Sequence, residues 1–146
     1  MSSSVIRLSK KSEYAVRALL HMAAAPTGKV HSLHELCAAE NLPVKFVEQA
    51  LGSLKNAGIL TSRRGSRGGY VLVRSPEGIQ IGEVLALLEG PVGVKTANPE
   101  TATRSQRALE KLLWQVGNDL EERLHERTLS DVLRLVPVSA EPDFVI

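Results

Sequence analysis

The sequence predicts a mainly α-helical chain that carries one small β-hairpin, and three observations lead to this fold class. Apolar residues recur at helical spacing in several segments of the 146 residues. One pair of short β-patterned runs flanks a glycine-rich turn that bears arginines. Further on, apolar residues step by three or four over more than one heptad, which indicates a single long helix.

Two capping signals predict the first two helices. Ser9 can cap a helix that runs to about Ala25, and its many apolar residues indicate that this helix is largely buried. Residues 32–35, with the sequence SLHE, form a capping box at the start of a second helix that ends near Glu40.

The third helix follows a tight turn at residues 41–42 and opens at Pro43, where the missing N–H costs nothing. Its apolar stripe consists of Val44, Val47, Leu51 and Leu54, and the opposite face is polar. Gly58 suits a left-handed C-cap.

The hairpin is predicted from strands over 59–63 and 69–73, joined by residues 64–68. Between Lys55 and Arg74 the chain has five basic residues and no acidic one. Such a run is an ordinary solvated surface in many proteins, but next to a helix-turn-helix it indicates contact with a polyanion.

The C-terminal half predicts a brief extended segment at 79–81, a short helix over 82–89, a loop over 92–103, a long helix over about 104–127 and a last helix over 128–135. The apolar seam of the long helix consists of Leu109, Leu113, Val116, Leu120 and Leu124. We therefore divide the chain into an N-terminal region (1–80), a region that contains the long helix (81–135) and a tail (136–146).

Charge is distributed unevenly although the net charge is only +2. Residues 1–80 carry 11 Lys and Arg against 5 Asp and Glu, while the remaining residues carry 7 against 11. The basic half is expected to face a polyanion. DNA, a membrane surface or an acidic protein would each satisfy this charge pattern.

Composition excludes several classes of protein. No apolar run approaches the roughly 20 residues that span a bilayer, and the N-terminus has no secretory pattern, so we expect a cytoplasmic protein. Aromatic residues make up 3%, which argues against a surface that stacks single-stranded bases. No catalytic constellation has supporting context, so an enzyme is not expected.

The order of elements is that of a winged helix-turn-helix with an added long helix. The polar face of the third helix fits the major groove of duplex DNA, and the arginine hairpin, or wing, fits the adjacent backbone or minor groove. Two copies paired through the long helix could read a pseudo-palindrome. We therefore interpret residues 1–80 as the DNA-binding region and residues 81–135 as the dimerisation region. A winged-helix module that binds a protein instead of DNA is the alternative.

The chain resembles the Rrf2 family of bacterial winged-helix transcription regulators. The marks of this resemblance lie at residues 7–15, 46–49, 54–60, 62–65, 68–72, 81–84 and 128–131. The resemblance implies a homodimeric regulator, here expected to be a repressor, that binds double-stranded DNA.

The resemblance also implies roles for single residues. It places Lys45, Phe46, Glu48 and Gln49 on the DNA-reading helix, with Glu48 accepting from cytosine amino groups, and Arg64 in the minor groove. Glu48 could instead pair with Lys45 in the free protein. To these we add Arg63 and Arg67, the latter on charge and position alone.

One departure from the family concerns cysteine. Cluster-binding relatives carry three cysteines before the long helix, whereas residues 90–105 contain none here and Cys37 is the one thiol of the sequence. We therefore expect no iron–sulfur cluster and no other cofactor. The effector stays open, as a small molecule or a protein.

Three further residue patterns each allow two interpretations. Cys37 fits core packing better than a redox switch. His31, His34 and Cys37 are spaced by three residues, which could indicate a metal site. Because no fourth ligand is evident, we expect surface histidines instead. Trp114 lies off the seam, so we expect it to pack in a core or interface, with an effector pocket as the alternative.

Overall fold

The computed structural model describes residues 6–90 and 98–138. Within these ranges the chain forms the predicted mainly helical fold with one antiparallel hairpin. Its elements are α1 (Lys10–Ala23), α2 (Leu33–Glu40), α3 (Val44–Asn56), β1 (Leu60–Arg63), β2 (Gly69–Leu72), a short 3-10 helix (Pro76–Gly78), α4 (Ile81–Glu89), α5 (Arg104–His125) and α6 (Leu129–Arg134).

The predicted capping residues begin their helices. Ser9 Oγ accepts from the backbone N–H of Ser12, and Ser32 Oγ accepts from that of Glu35. A capping box at Thr128 is complete, since Asp131 also accepts from the Thr128 N–H at 2.9 Å. Each cap satisfies a backbone donor that the helix itself leaves open.

Two helices end earlier than the sequence predicts. Helix α1 stops at Ala23 instead of Ala25, and α5 stops at His125 instead of residue 127. The residues after α5 bond elsewhere in the chain: the Ile81 N–H donates to the Arg127 carbonyl at 2.8 Å, and Thr128 pairs with Gln80. Long-range backbone pairing therefore decides where α5 ends. The helical periodicity of the sequence cannot predict this end, because the partners lie far away along the chain.

The turn between α2 and α3 is held by one left-handed residue and one buried side chain. Asn41 has φ 54° and ψ 53°, and Leu42 turns inward to 7% exposure. Helix α3 then ends in a Schellman motif, in which Gly58 has φ +79° and Ile59 N–H donates to the Leu54 carbonyl at 3.0 Å. These two turns fix the angle of α3.

A single hydrophobic core joins the helices. It contains the inner faces of α1 and α3, together with Leu36 of α2, Val84 of α4 and Leu129 of α6. Cys37 belongs to this core at 3% exposure, as the packing interpretation predicts. Helix α3 is thus anchored through Val47, Ala50, Leu51 and Leu54, and its other side faces outward.

A third stretch of backbone joins the hairpin. Strands β1 and β2 pair from Leu60 with Leu72 to Arg63 with Gly69. On the other edge of β2, His31 and Tyr70 exchange two backbone hydrogen bonds of 2.8 Å. His31 is 6% exposed, so the expectation of a surface position was wrong for it. Pairing with a distant strand buries this residue, and no local pattern signals that contact.

Helix α5 is covered at one end only. Near its C-terminus, Leu124 packs against the core and the His125 ring lies over Gly82 of α4. Towards the N-terminus of α5, Leu109, Val116 and Trp114 remain 57%, 55% and 66% exposed. The N-terminal part of α5 thus leaves apolar side chains uncovered in a single chain.

Candidate nucleic-acid interface

The outward face of α3 presents four of the sequence-predicted site residues together. Lys45, Phe46, Glu48 and Gln49 are all exposed and lie in the first two turns of the helix. Pro43 gives this helix no side-chain cap, so its first N–H groups remain open to an external acceptor. A helix with these features can enter a major groove with its N-terminal residues towards the bases.

The wing holds the other three predicted residues. Arg63 ends β1, and Arg64 and Arg67 lie in the turn that follows; all three are exposed. Their guanidinium groups form no ion pair within the described part of the chain. By contrast Arg74, at the base of the hairpin, is neutralised. The free positive charge is therefore concentrated at the tip.

Arg74 is the member of the basic run whose charge is neutralised by an ion pair. Its guanidinium donates to both carboxylate oxygens of Glu83, at 2.7 and 3.0 Å, and to the Gly78 carbonyl. The hydrogen bond from Arg74 is the main reason that the pKa of Glu83 lies below its usual range. Sequence proximity grouped Arg74 with the wing arginines, whereas its partner lies nine residues away on α4.

Two glycines allow the wing to fold closely. A Cβ on Gly68 would overlap the Arg63 carbonyl and lie 2.9 Å from that of Gly65. A Cβ on Gly69 would overlap the His31 carbonyl and lie 2.9 Å from the Ser32 nitrogen. These positions need glycine for space, whereas Gly65, with φ +107° and open surroundings, needs it for conformation.

Tyr70 of β2 is a half-buried residue that feels the charge of Glu48, and the sequence analysis did not single it out. Its side chain packs against the core, and its pKa is raised, first by burial and then by the negative charge of Glu48. Glu48 therefore lies on the side of α3 that adjoins β2. It forms no ion pair with Lys45 in the described residues, so the alternative pairing is not realised in this conformation.

The histidines and the cysteine do not form a metal site. Among the described residues, no three His, Cys, Asp or Glu side chains are grouped as metal ligands would be. Burial raises the pKa of the Cys37 thiol, which disfavours the thiolate that binds metals. His31 is instead inside, with its ring edge-on to His21 at 5.7 Å between centroids. These residues do not fit a cysteine-ligated cluster.

No helix within residues 6–90 and 98–138 combines the length and apolar character that a bilayer crossing requires.

The fold is that of a winged helix-turn-helix protein of the DNA-binding class. Its parts are α2, the turn at residues 41–42, the outward-facing α3 and the hairpin wing. The Rrf2 family model, described as an iron-dependent transcriptional regulator, matches residues 8–135. The chain belongs to this family. Its relatives are transcriptional regulators and not enzymes, as the sequence predicts.

Similar proteins come from several bacteria. The chain is 39% identical to slr0846 of Synechocystis sp. over 87% of both chains. It is 29% identical to the HTH-type transcriptional regulator CymR of Bacillus subtilis, over 87% of this chain and 89% of that one.

Solved structures agree with the fold. The structure of CymR, the global cysteine regulator of B. subtilis, superposes with a TM-score of 0.76 at 27% identity and covers 91% of this chain and 100% of that one. IscR of T. potens has a TM-score of 0.71 at 26% identity, covering 94% and 95%.

Proposed function

We propose that this protein is a homodimeric repressor that binds a pseudo-palindromic operator in duplex DNA. Region 1–80 contacts DNA, region 81–135 pairs the two copies, and 136–146 is a tail. The observation that carries the proposal is the wing tip, where three exposed arginines form no ion pair with any described residue, together with the exposed polar face of α3. Because its ligand is chromosomal DNA, we propose a cytoplasmic location.

Contacts to phosphate and to bases have different residues in this proposal. Arg63, Arg64 and Arg67 hold the backbone or enter the minor groove, where the negative potential attracts guanidinium groups. Lys45, Glu48 and Gln49 address base edges in the major groove, with Glu48 accepting from a cytosine amino group. A carboxylate on a surface that faces phosphates is favourable only when it meets such a donor.

Pairing of two copies is supported by the uncovered apolar side chains in the N-terminal part of α5. Leu109, Leu113 and Val116 lie on one stripe and are 57%, 40% and 55% exposed. Leu120 and Leu124 continue the stripe towards the core, against which Leu124 packs. A contiguous apolar stripe on a regular helix is typical of a dimer interface.

The dimer is tested by sedimentation velocity of Leu113→Glu. The new carboxylate would be buried at the seam, so we expect this variant to sediment as a monomer. The control, Lys111→Glu, places the same charge on the opposite face of α5 and should remain dimeric. A dimeric Leu113→Glu variant would reject this interface.

The wing is tested by the salt dependence of DNA affinity. Arg64→Ala removes one phosphate contact per subunit, so the slope of log affinity against log salt should become shallower by about 0.9 per contact, or about two per dimer. Arg134→Ala, which removes a guanidinium already paired with Asp131 on α6, is the matched control. A wild-type slope for Arg64→Ala would contradict the wing assignment.

The α3 assignment is tested by selection from a randomised duplex library. For Glu48→Ala we expect relaxed base preference instead of uniform weakening, because the carboxylate discriminates and does not attract phosphate. An unchanged selected motif would reject this role. If the wild type retains no genomic fragment in a gel shift at moderate salt, the protein-binding alternative replaces the DNA proposal. Repression itself is tested with a reporter behind a mapped genomic site.

Independence from an iron–sulfur cluster is the last part of the proposal. The sequence offers one thiol, Cys37, and it lies in the core at 3% exposure. A cluster requires several thiolate or equivalent ligands. The protein purified without oxygen should be colourless, and a brown product with visible absorbance would overturn this part. A small molecule or a partner protein is then the effector.

A further inference from the structure

Phe46 is an apolar exception on the polar face of α3. Its side chain is 56% exposed, and no other large apolar side chain between residues 10 and 72, all of them described, is exposed to a comparable degree. The core side of the helix is already filled by Val47, Ala50, Leu51 and Leu54. More than half of the Phe46 surface is therefore left open to an external partner.

The position of the ring matches that of a base-contacting residue. Phe46 is the third residue of α3, and the N-terminal residues of a recognition helix reach base edges. Gln49 follows one turn later on the same side, while Glu48 lies towards the wing. The major groove presents donors and acceptors on every base pair, and its apolar group is the C5 methyl of thymine.

We propose that Phe46 packs against the C5 methyl group of a thymine and so contributes to operator specificity. This inference rests on the proposed docking of α3 in the major groove. Phe46 and Glu48, two positions apart, lie on opposite edges of the exposed face. The ring and the carboxylate then read different bases, one by an apolar contact and the other by accepting a hydrogen bond.

The test uses uracil, which differs from thymine only by the missing methyl group. The probe is the duplex selected by the wild-type protein from a randomised library, resynthesised with uracil at one thymine position at a time. Loss of one buried methyl contact should weaken wild-type binding about four-fold when the thymine of one half-site is replaced by uracil. Replacement in both half-sites should weaken it roughly fifteen-fold.

The variants assign the effect to the ring. Phe46→Ala should bind the thymine and uracil duplexes equally, and Phe46→Leu should recover part of the discrimination. Leu135→Ala, which truncates an apolar side chain 72% exposed at the end of α6, is the control and should discriminate as the wild type does. Thermal unfolding of each variant verifies that it is folded.

The outcomes separate this inference from the proposed function. Equal binding of thymine and uracil duplexes by the wild type, or discrimination retained by Phe46→Ala, overturns the role of Phe46 while leaving DNA binding intact. Uniform weakening by Phe46→Ala without any methyl effect also overturns it, because that result indicates contact with the sugar–phosphate backbone. Failure to select any duplex overturns the proposed function and this inference together.

Discussion

Replacement of Gly69 by alanine should be among the most damaging single-methyl changes in this chain. The new Cβ would overlap the carbonyl oxygen of His31 and lie 2.9 Å from the Ser32 nitrogen. Both neighbours are backbone atoms, so no side-chain rotation relieves the overlap. The backbone of residue 31 must move away from β2, which separates it from Tyr70.

The magnitude follows from the contacts that this movement breaks. His31 and Tyr70 exchange two hydrogen bonds of 2.8 Å, each contributing about 0.5–1.5 kcal/mol. If the backbone of residue 31 does not move and the hydrogen bonds survive, the added methyl group remains as strain, which costs about 1–3 kcal/mol. We expect a loss of about 3 kcal/mol, which corresponds to a fall in Tm of roughly 6–12 °C.

Urea denaturation at one fixed protein concentration measures this loss, since pairing of subunits makes stability depend on concentration. The matched control is Gly52→Ala in α3, where nothing lies within 4 Å of the added Cβ. Alanine favours a helix interior over glycine by about 0.5–1 kcal/mol, so the control should be slightly stabilised. A wild-type unfolding midpoint for Gly69→Ala would refute the predicted overlap with the His31 backbone.

The remaining predictions concern titratable groups. The Cys37 thiol, buried and with a raised pKa, should react with a thiol reagent at pH 8 roughly ten-fold or more slowly in the native protein than in urea. Burial lowers the pKa of His31, with the charges of Lys29 and His21 adding to the effect, so the unfolded chain takes up this proton first. Stability should fall with pH below about 6.5, and the fall should be smaller in His31→Gln. The pKa of Glu83 is lowered by Arg74, so its stabilising contribution is present above about pH 4.3 and is lost on further acidification; the stability difference between wild type and Glu83→Gln should disappear there.

Local chemistry in the sequence predicts the elements well where it is self-contained. Ser9 and Thr128 cap helices because the backbone N–H groups that donate to their hydroxyl oxygens lie only three residues further along the chain. Gly58 ends α3 because its left-handed φ is a property of one residue. The apolar stripe of α3 lies in the core as the periodicity predicts.

The candidate interface was predictable only in part. Residue types and their order along the chain predicted an outward polar face on α3 and an arginine-bearing wing tip, and both are exposed in the structure. The neutralisation of Arg74 was not predictable, because Glu83 reaches it from α4. Neither was the effect of the Glu48 charge on the pKa of Tyr70, because these residues lie on separate elements, α3 and β2.

The sequence by itself determined the helices, the hairpin, their order and the charge at the wing tip, because caps, turns and periodicity act over a few residues. Only the tertiary structure decided that His31 is buried and bridged to Tyr70, that α5 stops where the Arg127 carbonyl accepts from Ile81, and that the charge of Arg74 is neutralised by Glu83. Each of these depends on backbone or side-chain partners that are distant in sequence, and satisfying a buried polar group requires the partner that the fold provides.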